Sequence, residues 1–364
     1  CSVTLGYKDP DIDAAVRAQM SDGALFTLPH KIEVEVAERI CAMVPCAEMV
    51  RFGKNGSDAT SGAVRLARAY TGRDRIAVCG YHGWQDWFIG STLRNLGVPK
   101  AVSDLTHTFV FNDLESLDAL FRKHPDEFAG VIMEPMNATE PEPGFLEGVQ
   151  ERCRKHGAVF ILDEMITGFR FAKGGAQELF GVTPDLATFG KGLANGYPLS
   201  AVAGRADIMS LLEDVFFSFT MGGEALSLAA AKATLDKINR EPVIEQLNEY
   251  GSRIVEGLSQ RISEYDAGHI FSITGHPCWS FLGIQNVNPY TDWEIRTFLL
   301  QEMFERRILM LGTHTMSYAH SNEDVERLLA AYDEIIPATR DAIAGKHLES
   351  QLRCEPLKPL FRVR

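Results

Sequence analysis

One apolar run constrains the fold of this chain more than any other feature. Residues 158–162 read AVFIL, and the run ends on Asp163. Continuous apolar character, without alternation, predicts a strand that is buried on both faces of a parallel sheet. The carboxyl ends of such strands form the edge at which open α/β sheets bind ligands. We therefore expect the Asp163 carboxylate to serve chemistry rather than solvation.

A lysine follows a second apolar run in the same way. Residues 186–189 read LATF and predict another strand, and Gly190-Lys191-Gly192 comes directly after it. The two glycines leave the lysine side chain unencumbered and allow a planar ligand to approach the backbone. An acid and an amine are therefore predicted at the same edge of the sheet.

A third segment has the character of an anion-binding turn. Asn55-Gly56-Ser57 precedes a helical run at residues 63–69, and backbone N–H groups at a helix start bind phosphate. A Schiff-base lysine, a carboxylate for a ring nitrogen and a phosphate turn are what pyridoxal 5′-phosphate (PLP) requires. Each segment alone also occurs as an ordinary strand end, loop or turn. Together they predict a PLP site.

The amino-acid sequences of three segments resemble those of a known family. Residues 162–170 (LDEMITGFR), 189–193 (FGKGL) and 80–83 (GYHG) resemble the class III (fold type I) aminotransferases, most closely the glutamate-1-semialdehyde 2,1-aminomutase branch. The resemblance extends over nearly the whole chain, from about Leu5 to residues 319–324. Because the family usually carries a further N-terminal segment, we expect residues to precede Cys1 in the full-length protein.

The resemblance implies an α/β fold of the PLP-transferase type. A large domain with a mostly parallel central sheet sandwiched by helices is expected at residues 41–242. A smaller α+β domain is expected at residues 243–364, with the N-terminal segment 1–40 joining it.

The resemblance also implies roles for individual residues. Lys191 would form the Schiff base and move the proton, Asp163 would hold the ring nitrogen, and Tyr81 would stack on the ring. Thr220 would reach the phosphate in the neighbouring subunit, which implies a homodimer with shared active sites. The other candidate cofactor-binding residues are Asn55, Gly56, Ser57, His82, Glu134 and Met165. A strand-end glutamate such as Glu134 can instead cap the adjacent turn.

The segment around Thr220 departs from the family pattern. Residues 216–223 (FFSFTMGG) are predicted to end a strand with this threonine before two glycines. Glu224-Ala225 then stands where relatives commonly have Asn-Pro. The geometry of this turn therefore stays open.

Charge and cysteine usage exclude several classes of protein. A formal net charge of −13 argues against nucleic acid and anionic membranes as partners, and no apolar run approaches the ~20 residues of a membrane span. The seven cysteines form no CxxC pair, which favours reduced thiols in a cytoplasmic protein. The histidines lack ligand spacing, so no metal site is predicted.

Three functions remain open. The favoured one is transfer of an amino group from an amino-acid donor to a carbonyl acceptor, both small molecules. The second is the aminomutase reaction, against which residues 85–104 look short for the mobile loop of that branch and Gly312 replaces its glutamate. The third is a PLP-binding module without turnover, which the intact Lys191 and Asp163 disfavour.

The nature of the acceptor depends on two tryptophans. Trp84 and Trp87 follow the Tyr81 turn and could line the mouth of the site, where indole faces suit a keto-sugar or another bulky carbonyl compound. Both could instead pack beneath the loop. Arg170 could bind a substrate carboxylate in bidentate fashion or belong to a structural turn.

Overall fold

Ten strands and fourteen α-helices lie within residues 1–358, the part of the chain that the computed structural model describes. The strands are β1 (Met49–Gly53), β2 (Arg75–Cys79), β3 (Thr106–Thr108), β4 (Phe128–Met133), β5 (Val159–Asp163), β6 (Leu186–Phe189), β7 (Ser200–Gly204), β8 (Phe271–His276), β9 (Trp279–Ile284) and β10 (Thr313–Thr315). The helices are α1 (Pro10–Asp22), α2 (Lys31–Met43), α3 (Gly56–Thr71), α4 (Asp86–Ile89), α5 (Lys100–Ser103), α6 (Leu114–Lys123), α7 (Phe145–His156), α8 (Ala176–Phe180), α9 (Ala206–Met209), α10 (Ala225–Arg240), α11 (Val243–Glu264), α12 (Asp292–Glu305), α13 (Asn322–Ala344) and α14 (Leu348–Gln351).

The larger sheet has the strand order β1-β7-β6-β5-β4-β2-β3. Strands β3, β2, β4, β5 and β6 are parallel neighbours, whereas β7 runs antiparallel to both β6 and β1. The mostly parallel sheet expected from the sequence is confirmed. Because β5 and β6 are parallel, Asp163 and the residues that follow Phe189 lie at one edge of this sheet.

Helices cover both faces of the sheet, which explains the continuous apolar runs. Ile161 of β5 belongs to a core cluster formed with α3, whereas Phe160 and Leu162 belong to a second cluster formed with α6 and α7. Every residue of β5 is buried. A strand in the middle of such a sandwich needs an apolar side chain at each position, since neither face meets water.

The chain divides into two units. Among residues 1–358, the first comprises residues 1–137 and 141–244, and the second comprises residues 138–140 and 245–358. Residues 1–40, expected to join the smaller domain, lie in the first unit instead. They pack on α10, where Asp9 pairs with Lys237 at 2.7 Å and Arg39 pairs with Asp236 at 2.7 Å.

The second unit combines helices with a small antiparallel sheet. Its strands have the order β10-β9-β8. Side chains of α11, α12 and α13, among them Leu258, Phe298 and Tyr332, form its core. Helix α11 approaches the β8–β9 hairpin so closely that a Cβ at Gly251 would collide with the backbone of Pro277.

The strand predicted to end at Thr220 is wrong. Residues 216–224 form an irregular segment, whose carbonyl oxygens accept hydrogen bonds from arginine side chains. Arg51 Nη2 donates to the Phe217 oxygen at 3.3 Å and Arg65 Nη1 donates to the Phe216 oxygen at 2.7 Å. Within residues 1–358, no helix is long and apolar enough to cross a membrane.

Candidate active site

The carboxylate of Asp163 is buried at the end of β5 and held from three directions. Its Oδ2 lies 2.7 Å from His82 Nδ1, and its Oδ1 accepts hydrogen bonds from the Met165 amide at 3.1 Å and from the Thr188 hydroxyl at 3.2 Å. Only 3% of the residue is exposed. These contacts fix the direction of the carboxylate, as a group that binds a charged ring atom requires.

The imidazole of His82 is locked behind this carboxylate. Its Nε2 lies 3.2 Å from the Cys79 carbonyl oxygen, and its ring meets the edge of Phe88 at 5.2 Å between centroids. The Thr60 hydroxyl donates to the His82 carbonyl oxygen at 2.8 Å. The backbone and ring of His82 are therefore both held in place, and Nδ1 donates to Asp163 because an ionised carboxylate only accepts.

Lys191 opens a short 3-10 turn, Lys191–Ala194, directly after β6. Its φ of 44° lies in the left-handed region, which costs of the order of 1–3 kcal/mol for a residue with a Cβ. Burial lowers the pKa of Lys191, whereas the carboxylates of Asp163 and Glu134 oppose this change. A lowered pKa favours the neutral amine, which is the form that attacks a carbonyl carbon.

Residues near the start of the chain clamp the lysine turn. The Asn195 side chain accepts a hydrogen bond from the Leu5 amide at 2.9 Å and donates one to the Gly6 oxygen at 3.1 Å. At Gly192, a Cβ would lie 2.5 Å from the Thr4 hydroxyl oxygen. Asn195 was missed in the sequence, although an asparagine in the left-handed region after a short turn is a familiar capping signal.

Met165 brings two of the predicted glycine segments together. A Cβ at Gly56 would lie 2.9 Å from its sulfur, and a Cβ at Gly190 would lie 2.7 Å from the same atom. The start of α3 and the backbone before Lys191 therefore both lie against the segment that follows Asp163. Glycine at both positions keeps this narrow cradle open.

The anion-binding turn is tied to the segment after β2. Asp58 Oδ2 accepts hydrogen bonds from the Asn55 amide at 2.8 Å and the Lys54 amide at 3.0 Å. The Trp84 amide donates to the Ser57 hydroxyl at 3.2 Å, and a Cβ at Gly83 would collide with that hydroxyl. The start of α3 and the turn at residues 80–84 thus form one packed edge.

Tyr81 and Glu134 meet through the backbone. The Tyr81 amide donates to Glu134 Oε2 at 3.1 Å, and Asn137 Nδ2 donates to the same oxygen at 3.2 Å. Burial raises the pKa of Glu134, and the Asp163 carboxylate raises it further. The Tyr81 side chain is 44% exposed and meets the edge of Phe88 at 5.6 Å between centroids. Glu134 therefore caps the turn that presents the tyrosine ring.

Other predicted residues lie elsewhere. Arg170 is 1% exposed, and its Nη2 donates to the Thr4 hydroxyl at 3.0 Å, so the structure supports the structural interpretation of this arginine. Trp87 is buried and its indole N–H donates to the Ser61 hydroxyl at 2.9 Å, whereas Trp84 is 70% exposed. Of the two tryptophans, Trp84 alone can face a ligand. Thr220 is exposed on the irregular segment 216–224.

A second carboxylate behind the site was not predicted. Glu164 is 1% exposed and accepts hydrogen bonds from the Ala176 amide at 2.8 Å, the Gln177 amide at 2.9 Å and the Thr167 hydroxyl. Burial raises the pKa of Glu164, and these hydrogen bonds oppose that change. The residue ties the end of β5 to the start of α8 and so supports Asp163.

The family model "Aminotransferase class-III" matches residues 1–295. The chain is a class III aminotransferase. It is 33% identical over 342 residues to a 3-aminobutyryl-CoA aminotransferase of Cloacimonas acidaminovorans, covering 91% of this chain and 81% of that protein.

Solved transaminases share the fold of this aminotransferase. An omega-transaminase of Sphaerobacter thermophilus has a TM-score of 0.85 at 28% identity, covering 93% of this chain and 85% of its own. The FumI protein of Sphingopyxis sp. MTA144, solved with PLP, has a TM-score of 0.86 at 30% identity, covering 94% and 83%.

The residues of this aminotransferase fit PLP, the cofactor of the family. A buried carboxylate at Asp163, a lysine at the same sheet edge and the cradle around Met165 supply the required donor set. Within residues 1–358, no group of three or more histidine, cysteine, aspartate or glutamate side chains could hold a metal ion.

Proposed function

We propose that this aminotransferase moves an amino group from an amino-acid donor to a bulky carbonyl acceptor, with Lys191 as proton carrier and Asp163 as the ring-nitrogen partner. The observation that carries the proposal is the shared sheet edge: Asp163 ends β5 and Lys191 follows β6, its parallel neighbour. An electron-withdrawing cofactor can then meet a fixed carboxylate and an amine together.

Five candidate residues would hold the phosphate and one ring face of PLP. The start of α3, at Asn55, Gly56 and Ser57, offers backbone N–H groups and a hydroxyl to an anion, and the helix dipole adds to their attraction. Tyr81 presents its ring at the same edge, and Met165 closes the cradle beneath Gly56.

The Asp163 carboxylate retains capacity for one more donor. Its oxygens accept three hydrogen bonds from the protein, and a carboxylate offers about four acceptor positions. A protonated ring nitrogen would occupy the fourth. His82 would keep the carboxylate directed through its Nδ1, and Glu134 would hold the backbone of Tyr81.

Lys191 would act as the base and acid of the reaction. PLP, when bound, supplies the electron sink that stabilises negative charge on the substrate carbon. The neutral Lys191 amine, favoured by burial that lowers its pKa, takes the proton from the α-carbon of the donor. The resulting ammonium would return that proton to a second carbon position, so that the proton moves between two carbons and Lys191 is neutral again.

We also propose a homodimer with shared sites, and the surface around Thr220 supports it. Phe216 is 77% exposed, Met221 is 49% exposed and Leu28 is 76% exposed, and the segment that contains Leu28 joins the Thr220 segment through a hydrogen bond from the Ala225 amide to the Ala24 oxygen at 2.8 Å. Exposed apolar side chains on two joined segments are in keeping with a subunit interface. None of the seven cysteines forms a disulfide bond, which supports a cytoplasmic location.

Two acceptor classes compete. The exposed indole of Trp84, directly after the Tyr81 turn, suits the flat apolar face of a keto-sugar. The relative from Cloacimonas acidaminovorans is named for a coenzyme A thioester, which makes a β-keto acyl thioester the competing acceptor.

Half-reaction spectroscopy tests the proposal. The purified protein should be yellow with PLP, and single amino acids should bleach the visible band. A keto-sugar should then restore it faster than a β-keto acyl thioester. Lys191→Ala is the matched control, since it removes the covalent attachment and the base together. Rapid bleaching by 4,5-diaminovalerate, with indifference to ordinary amino acids, would overturn the transaminase proposal in favour of the aminomutase.

A further inference from the structure

A shielded ion pair joins the anion-binding turn to the segment that carries Thr220. Lys54 Nζ lies 2.9 Å from Glu224 Oε2, and the two side chains are only 13% and 18% exposed. Removing two charges from water costs free energy that their attraction only partly returns. The pair is therefore expected to add little to stability, and its role is better explained by the positions in which it holds the two segments.

The Lys54 end of the pair is rigidly attached to the start of α3. Its amide and the amide of Asn55 both donate to Asp58 Oδ2, at 3.0 and 2.8 Å. Asp58 belongs to the first turn of α3. The backbone at Lys54 is therefore held by Asp58 independently of the ion pair, and it gives the pair a fixed end.

The Glu224 end is fixed just as firmly. Its carboxylate caps α10, accepting hydrogen bonds from the Leu226 amide at 2.7 Å and from the Ser227 hydroxyl at 2.6 Å. The Glu224 amide donates to the Met221 oxygen at 3.2 Å, which closes the turn immediately after Thr220. One carboxylate therefore both caps α10 and binds Lys54.

The rest of the segment is anchored beneath Thr220. Phe217 is 8% exposed and its ring meets Phe219 edge to face at 4.8 Å. A Cβ at Gly53 would lie 3.6 Å from the Phe219 ring. With Phe217 anchored on one side and Glu224 on the other, the exposed Thr220 has little freedom to move.

We propose that Lys54 and Glu224 are positioning residues that act across the dimer: they place Thr220 for the cofactor phosphate of the partner subunit. The anion-binding turn of one site would thereby support the phosphate contact of the other. This inference rests on the proposed homodimer with shared sites.

Mixed dimers with differently tagged subunits test the direction of action. In the split dimer, one subunit carries Lys191→Ala and the other carries Glu224→Gln. In the joined dimer, one subunit carries both substitutions and the other is unchanged. Each dimer keeps one Lys191, so the visible band of the bound cofactor reports that site alone. Its decay with a cofactor scavenger gives the release rate.

The two dimers should differ if Glu224 acts on the partner. In the joined dimer, the surviving Lys191 faces a Thr220 segment without its carboxylate, so cofactor release should be about tenfold faster, as expected when a charge-assisted hydrogen bond is lost. In the split dimer, the facing segment is intact and release should match that of a mixed dimer carrying only Lys191→Ala. Lys54→Met in place of Glu224→Gln should give the same pattern.

A second ion pair supplies the control. Lys237 and Asp9 are 2.7 Å apart with side chains 10% and 5% exposed, and Lys237→Met should leave release unchanged in both arrangements. Faster release in the split dimer alone, in both dimers, or in neither overturns the inference. A wild-type protein to which borohydride fixes no PLP, or an active monomer in sedimentation, overturns the proposed function itself.

Discussion

His82 Nδ1 lies 2.7 Å from Asp163 Oδ2, and the two residues are 2% and 3% exposed. Water is thus largely excluded from the contact, and an interaction with a carboxylate is stronger in such surroundings than at a surface. The two side chains come from the turn after β2 and from the end of β5. Because of this contact, the packing of the sheet edge fixes the orientation of the Asp163 carboxylate.

Asp163→Asn should lower the turnover of this aminotransferase by about a thousandfold, since it removes a charge that acts on the transition state. The amide retains the volume of the carboxylate, so the fold should persist. Single-turnover kinetics with a saturating donor would measure the change. An Asp163→Asn enzyme with near-normal turnover would rule out the ring-nitrogen role.

His82→Gln should lower turnover by about tenfold, because one hydrogen bond to a buried charge is lost while the charge itself remains. If His82 acts through Asp163, the double variant His82→Gln/Asp163→Asn should be no slower than Asp163→Asn alone. A double-mutant cycle measures this coupling directly. Multiplicative losses would mean that His82 acts independently of the carboxylate.

The buried strands of the large sheet could be predicted, because a strand that is buried on both faces requires an apolar residue at every position. The strand predicted at residues 158–162 corresponds to β5 at Val159–Asp163, and residues 186–189 coincide with β6. The segment around Thr220 looked similar in composition but is no strand. There the aromatic side chains anchor an irregular segment, whose carbonyl oxygens accept hydrogen bonds from Arg51 and Arg65. Such bonds between distant residues cannot be inferred from the periodicity of apolar residues.

Contacts between distant segments account for most of what the sequence left unpredicted. Asn195 holds the backbone of Leu5 and Gly6, and Lys54 meets Glu224. The local sequence does not identify the partners of these residues, because the partners lie more than 150 positions away and approach only when the chain folds. Residues placed by a strand end, such as Asp163, could be predicted, since the topology of a parallel sheet fixes their edge.

Gly251→Ala should destabilise the second unit by about 2 kcal/mol, an effect of overpacking. The added methyl group would collide with the Pro277 backbone, which cannot rotate away as a side chain can. The clash outweighs the roughly 1 kcal/mol that alanine gains over glycine within a helix.

Gly268→Ala is the matched control, because a Cβ there meets no atom within 4 Å. Its effect should stay within about 0.5 kcal/mol. Hydrogen exchange of amides in β8 and β9 reports the stability of this unit. Equal protection in the two variants would contradict the collision.

Acid should weaken the second unit through two buried histidines. Burial lowers the pKa of His276 to about 4 and that of His314 to about 4, from an ordinary value near 6.5. His314 is held neutral between the Ser280 hydroxyl at 3.0 Å and the Tyr332 hydroxyl at 2.7 Å. Their contribution to stability is therefore fully present above about pH 6.5.

As the pH falls from about 6.5 towards 4, these histidines bind protons in the unfolded chain but stay neutral in the folded unit. The free energy of unfolding therefore decreases, with a slope that approaches ~1.4 kcal/mol per pH unit for each histidine. Hydrogen exchange in β9 at several pH values would measure the slope. His314→Gln should reduce it by about half, whereas replacing the exposed His269 with Gln should leave it unchanged. Because carboxylates also titrate at the lower end of this range, the deciding quantity is the difference between the two variants. Equal slopes in His314→Gln and His269→Gln would show that His314 is already protonated in the folded unit.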